Sequence, residues 1–283
     1  MDTLDAIILG VVQGLAEYLP ISSSGHLEIC REILGLKLDG ADALEFDVVL
    51  HIATVLSTIV VLWGEFNALC RSFFTLKFDD NFRYVCKILV SCIPVAIVGL
   101  FFKDFVESFF GNGLGIVGIC LLVTAALLAF AYFFRTRYEV NPALDSKVSG
   151  RSDTHDISWL DAFIIGCSQA VAVLPGLSRS GTTIATGILL GNRRESVARF
   201  SFFMVIIPIL GEALLGIKDL LTGEATSADV IGFTPLICGF IASFVVGCLA
   251  CKWMLNIVKQ GKLVWFAVYC VIVGIICIVW PNL

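Results

Sequence analysis

Charge is scarce in this sequence. Only 15% of its 283 residues are Asp, Glu, Lys or Arg, 58% are hydrophobic, and the mean hydropathy is +0.94. Soluble domains carry about 25% charged residues, so the composition argues against an ordinary water-soluble enzyme. Basic tracts are missing too, and the net charge is −5. That excludes a nucleic-acid partner, because phosphate backbones are held by clustered Lys and Arg. So apolar a chain is neither disordered nor collagen-like. A positively charged leader is also lacking: Asp2 and Asp5 stand at the N-terminus, and no cleavable signal peptide is expected. The cysteines supply no disulfide framework. Cys92, Cys120, Cys167, Cys238, Cys270 and Cys277 sit inside apolar runs, where a thiol behaves as a small hydrophobe. Cys248 and Cys251 form a C-x-x-C, but within an apolar helix rather than the accessible, electropositive setting of a reactive thiol. What remains is an all-α polytopic membrane protein.

A transmembrane helix needs about 20 mostly apolar residues. Six segments are expected to span: 46–64, 88–102, 114–134, 200–217, 232–252 and 263–281. Two other apolar stretches are interrupted. Residues 4–34 are broken by Pro20 and the run Ser22 to His26, and residues 158–191 by Pro175-Gly176 and Ser178 to Gly181. Each half is too short to cross, so each stretch reads as a re-entrant helix–loop–helix pair. Non-helical backbone at membrane depth is tolerated where protein or water covers it. Loops 65–87, 135–157, 192–199 and 253–262 hold most of the Lys and Arg. Placing them in the cytoplasm puts both termini outside.

The two broken stretches resemble each other. Asp5, Ala6, Ile8, Gly10, Gln13 and Ala16 match Asp161, Ala162, Ile164, Gly166, Gln169 and Ala172, all 156 positions apart. Ser22, Ser24 and Gly25 match Ser178, Ser180 and Gly181 at the same offset. Agreement at Asp, Gln, Ser and Gly is harder to obtain by chance than agreement at apolar positions. Three spans separate the copies, so the second enters from the opposite face, as in an inverted-topology repeat. The expected organisation is a first repeat over 1–134, a polar cytoplasmic linker over 135–157 and a second repeat over 158–283.

Chemistry concentrates at the two breaks. In the first, Gln13 and Glu17 share a helix face. A carboxylate inside an apolar helix costs roughly 2.5–3.5 kcal/mol and implies a cation or a cationic partner. Ser22, Ser23, Ser24 and His26 follow Pro20, which suits nucleophile, base and phosphate-donor roles; Ser22 or Ser23 also suits a plain helix cap. In the second, Gly176, Ser178, Arg179, Ser180, Gly181 and Thr183 stand at a helix start. Glycine allows close backbone approach, a helix N-terminus attracts anions, and arginine grips two phosphate oxygens. The lesser reading, Arg179 as the partner of Glu17, is compatible with the cradle.

The pattern Gln13-x-x-x-Glu17, then Pro20-x-Ser22-Ser23-x-Gly25-His26, with Pro175-Gly176-x-Ser178-Arg179-Ser180-x-x-Thr183 in the second half, resembles the undecaprenyl-diphosphatase family of the BacA, bacitracin-resistance type. The stretches FDVVLHIATVLSTIVVLW near residue 46 and FSFFMVIIPIL near residue 200 extend the likeness over essentially the whole chain. The resemblance implies an integral enzyme of the bacterial inner membrane that hydrolyses undecaprenyl diphosphate to the monophosphate and inorganic phosphate, recycling the carrier lipid of cell-wall synthesis. It also implies a divalent cation (Mg²⁺ or Ca²⁺), a site facing the periplasm and a tendency to form homodimers. Glu17, Ser22, Ser23, His26, Ser178, Arg179 and Thr183 fall on the family's functional positions. Gln13 stands where many members have Glu, which removes one metal carboxylate, and His51, whose position is often Gln, is expected at most to line the site.

On this reading Glu17, with Gln13, holds the ion, while Arg179 and the amides around Gly181 neutralise the diphosphate. Ser22, Ser24, Gly176, Ser178, Ser180, Gly181 and Thr183 are the candidate phosphate-binding residues. Ser23 is the expected nucleophile, with His26 activating it and Glu17 supporting His26. In the alternative, water attacks directly, with His26 as base. The competing class is a lipid-phosphate transporter or flippase, which also uses broken helices at the midplane.

Overall fold

The computed structural model describes residues 1–36, 40–102, 105–106, 108–109, 113–139, 157–222 and 231–280. Among these, every regular element is a helix: α1 (Thr3–Ala16), α2 (Ser23–Leu34), α3 (Gly40–Val61), α4 (Trp63–Phe74), α5 (Asp80–Phe101), α6 (Leu114–Glu139), α7 (Trp159–Val171), α8 (Arg179–Leu189), α9 (Arg194–Met204), α10 (Ile206–Thr222), α11 (Phe233–Lys259) and α12 (Val264–Val279).

Among the described residues, five stretches are long and apolar enough to cross a membrane: Ala43–Val61, Asp80–Phe101, Leu114–Phe134, Arg194–Leu214 and Phe233–Lys259. Large apolar side chains such as Leu100, Leu249 and Trp265 are exposed on the outer surface, where only hydrocarbon would accept them. The chain is an all-helical, multi-pass membrane protein. Two expectations need correction. The span placed at 88–102 is longer, because Pro94 sits inside α5 without ending it. The span placed at 200–217 is divided into α9 and α10 at Val205. The last apolar segment forms a described helix of 16 residues, Val264–Val279. Helix α6 runs on to Glu139; of the expected linker, residues 140–156, with Lys147, Arg151 and His155, lie outside the described residues, as do Lys37 and Lys103.

The matched halves are capped in matched ways. Asp2 and Asp5 form a reciprocal capping box at the start of α1, and Ser158 and Asp161 do so at α7. Two orphan amides are satisfied each time, which explains the paired acids Asp5 and Asp161. Ser22 Oγ accepts from the Gly25 amide at 3.3 Å to start α2, and Ser178 Oγ from the Gly181 amide at 3.0 Å to start α8. Helix α2 thus begins at Ser23, with Ser22 as its cap.

Small residues set the crossings. Helix α1 packs on α11, α7 on α5, and α6 on α12. A Cβ on Gly10 would collide with the Gly239 carbonyl, and one on Gly166 with the Ser91 carbonyl. In a bilayer, where lipid competes equally for apolar surface, such close backbone approach supplies the packing contacts that hold helices together. Gly10→Ala and Gly166→Ala should each cost about 1–3 kcal/mol of overpacking. Gly99, in α5 with nothing within 4 Å of its would-be Cβ, should gain about 0.5–1 kcal/mol on replacement by alanine. Thermal unfolding midpoints in detergent read both.

Candidate active site

The breaks after α1 and α7 meet. The Gly25 and Gly176 backbones approach closely, Pro20 lies against Gly181, and Ser180 Oγ donates to the Leu19 carbonyl at 3.1 Å. This juxtaposition carries Arg179, the first residue of α8, onto Glu17, the C-cap of α1. The Arg179 Nη2 donates to Glu17 Oε1. On the other carboxylate oxygen, Ser23 Oγ donates to Oε2 at 2.7 Å and Gln13 Nε2 at 2.9 Å, and His51 Nε2 lies 3.5 Å away. The Glu17 side chain is only 7% exposed. A buried charge is tolerated when it is paired and its lone pairs are filled, and four partners from α1, α2, α3 and α8 do this here.

Ser22 holds a positive φ of 70°, a conformation that costs a non-glycine residue about 1–3 kcal/mol and recurs at functional sites. It lets the chain turn sharply, so that Ser23 faces back to Glu17, six positions earlier. Behind the ion pair lies a cavity of about 20 Å³, lined by Tyr18, Thr54, Thr58, Ser180 and Ser201 among others, room for about one water molecule. The Tyr18 hydroxyl is held there by the Thr54 carbonyl, Ser57 and Thr58.

Some expected roles change. His26 lies apart from Ser23 and Glu17: Nδ1 is 2.8 Å from the Ser22 carbonyl and Nε2 is 2.7 Å from the Tyr269 hydroxyl. The cause is local, since the first turn of α2 brings residue 26 back over the carbonyl of residue 22. Glu17 is therefore the carboxylate partner of Ser23 itself. The Gly181 amide is spent on capping by Ser178 rather than left for a ligand. Ser178 and Thr183 are fully buried. Ser178 N–H donates to Thr124 Oγ1 at 3.0 Å, and the Thr183 hydroxyl is 2.7 Å from that of Ser201 and donates to the Arg179 carbonyl at 2.8 Å. Both brace the Arg179 loop. Gly176, at φ 85°, is pressed on the Val117 backbone of α6, so packing alone requires its lack of a side chain. Ser24 and Ser180 remain at the junction, with hydroxyls 3.3 and 3.4 Å from those of Ser22 and Ser178.

His51, expected at most to line the site, is a direct neighbour of Glu17. An imidazole within an apolar span was the available signal. Tyr269 belongs to no motif, and only packing reveals it. For a hard divalent cation, the donor set fits partial coordination: the Glu17 carboxylate and the Gln13 Oε1, which is buried and without a hydrogen-bond partner. Among the described residues no three His, Cys, Asp or Glu side chains form a metal cage.

Comparison with known proteins identifies the family. The family described as bacitracin resistance protein BacA matches residues 6–276. An undecaprenyl-diphosphatase of Bacteroides fragilis is 54% identical over 283 residues, covering 100% of both chains. Proteins of the same name from Christiangramia forsetii and Methanosphaera stadtmanae are 44% and 40% identical, each over 99% of this chain and 98% of their own. The chain belongs to the BacA family of bacitracin resistance proteins.

Proposed function

We propose that this chain is an undecaprenyl-diphosphate phosphatase, a membrane hydrolase that cleaves the terminal phosphate from the lipid diphosphate. The carrying observation is the Ser23–Glu17–Arg179 constellation, assembled from two helix breaks in a chain whose full-length relatives bear that name. It favours the phosphatase over the transporter, which needs binding groups but no hydroxyl hydrogen-bonded to a carboxylate. Ser23 Oγ attacks the terminal phosphorus as its proton passes to Glu17 Oε2. The bond from that phosphorus to the bridging oxygen breaks, and the lipid monophosphate leaves. Water then attacks the phosphoserine, the Ser23 Oγ–phosphorus bond breaks, Ser23 Oγ takes back the proton from Glu17, and the water's oxygen and protons leave with inorganic phosphate. Arg179 shifts from Glu17 onto phosphate oxygens as charge spreads over them. Glu17 and Gln13 Oε1 would hold Mg²⁺ or Ca²⁺, which supplies neutralisation of the diphosphate charge. The purified protein should release inorganic phosphate from undecaprenyl diphosphate in detergent, lose this on chelation and regain it with either ion. Absence of release with both ions present would overturn the assignment.

The six-span arrangement with two re-entrant pairs, placed in the bacterial inner membrane with the site toward the periplasm, is part of this reading. The matched caps and the matched glycine crossings support two related halves. Arg199 pairs with Glu65 and Glu195, and Lys259 lies 3.7 Å from Glu195. Three of the basic segments therefore gather at one end, as a cytoplasmic face requires. His51→Ala should leave the fold intact and lower phosphate release about tenfold, equivalent to ~1.4 kcal/mol, because it removes one of several neighbours of Glu17. Initial rates against substrate concentration test this.

A further inference from the structure

We infer that the tip of the α4–α5 hairpin is a docking surface for anionic phospholipid head groups of the surrounding bilayer. It involves neither Glu17 nor Arg179, so the inference stands independently of the phosphatase reading. Helix α4 packs on α5, and three large apolar side chains crown the tip between them: Phe74 is 80% exposed, Leu76 65% and Phe78 78%. They lie outside the spanning stretches, one of which ends at Val61 while the next begins at Asp80. Helix α5 has 22 residues, about 33 Å at 1.5 Å per residue, which matches a hydrocarbon core of about 30 Å. The tip therefore sits where the chain enters the bilayer, at head-group depth.

The turn holds these side chains outward. The buried Ser72 hydroxyl donates to Asp79 and lies 3.1 Å from the Lys77 carbonyl, and the Ser72 carbonyl accepts from the Lys77 amide at 3.1 Å. Asp79 in turn accepts from the Phe82 amide at 3.0 Å and caps α5. Leu76 holds a φ of 50°, a region that non-glycine residues rarely enter. Phe73 stacks on Phe82 with centroids 5.8 Å apart, and the Phe78 ring lies 4.8 Å from that of Phe82. A turn fixed in this way cannot fold Phe74 and Phe78 back into the core, so the surroundings must cover them. Charge decides what does. Arg71 and Lys77 flank the three apolar residues and are exposed. The acids of the hairpin are engaged elsewhere: Glu65 pairs with Arg199, Asp79 caps α5, and Asp80 lies 3.6 Å from Arg83. The outward face thus joins apolar groups to positive charge, the pairing by which interfacial segments insert beside anionic lipids. A soluble partner would need the tip clear of the head groups, and its depth leaves it among them.

Lipid titrations of the full-length protein in detergent, read by native mass spectrometry, test this, with phosphatidylglycerol and phosphatidylcholine of the same acyl chains as probes. The wild type should bind phosphatidylglycerol more tightly. Arg71→Gln and Lys77→Gln should each cut that preference about fivefold, the factor for one basic residue at an anionic surface. Lys77→Arg keeps the charge and should keep the preference. Phe74→Ser combined with Phe78→Ser should weaken binding of both lipids alike, because it removes apolar insertion rather than charge. Equal affinity of the wild type for the two lipids would overturn the inference. So would an unchanged preference in Arg71→Gln/Lys77→Gln, the same loss in Lys77→Arg as in Lys77→Gln, or unaltered binding in the double phenylalanine variant. Phosphate release is not read, so a failure of the phosphatase reading would leave each of these results standing.

Discussion

Phosphate release by the Arg179→Lys variant should fall about 10²- to 10³-fold, the usual cost of losing one preorganised donor to transition-state charge. The charge is conserved, so Coulomb attraction alone predicts little change. Geometry predicts a large one. The guanidinium is a planar fork that can bridge Glu17 and a phosphate, or grip two phosphate oxygens together; an ammonium is a point charge on a flexible stem. The lysine nitrogen must also leave a 7%-exposed carboxylate to reach substrate, and uncovering a buried charge carries its own penalty. The loss should therefore appear mainly in kcat, while the thermal unfolding midpoint in detergent moves little. Rates within threefold of wild type would show that Arg179 serves Glu17 alone.

Ser23→Ala should abolish turnover, by about 10³-fold or more, as removal of a nucleophile does. Among the described residues its hydroxyl is the one serine hydroxyl bonded to Glu17, at 2.7 Å, and that carboxylate is in reach to take its proton. Acid-quenched wild-type enzyme with terminally labelled lipid diphosphate should retain label on Ser23, because phosphoserine survives acid. Ser22→Ala would lose the α2 cap, costing about 1 kcal/mol of stability, with no loss of label. A Ser23→Ala variant that still releases phosphate at near wild-type rate would assign the attack to water.

Much of this site is legible in the sequence. Gln13 and Glu17, one turn apart, do share a helix face and a hydrogen bond, since 3.6-residue periodicity fixes neighbours within a helix. The prolines and hydroxyl runs mark where helices stop, and Ser22 caps α2 where a cap is one of the readings, whereas the cap at Ser178 is not read from the sequence. The spacing of His26 from Ser23 suggests reach, while the backbone turn at Ser22 sends the two side chains different ways. Tyr269 had no signal, being an aromatic in an apolar helix. The brace from Thr183 to Ser201 was invisible for a similar reason: a hydroxyl in the motif looks the same whether it faces a ligand or the protein.

Amino-acid order alone settled the membrane character, the positions of the helix breaks and the chemical groups carried there, because hydropathy, proline and capping act over a few residues. Packing settled who touches whom. Glu17 and Arg179 are separated by 162 positions, and their meeting depends on how closely α1 approaches α11 and α7 approaches α5, which the glycine-to-carbonyl contacts set. Distances between helices arise from the sum of many such contacts, and no local pattern in the chain encodes that sum.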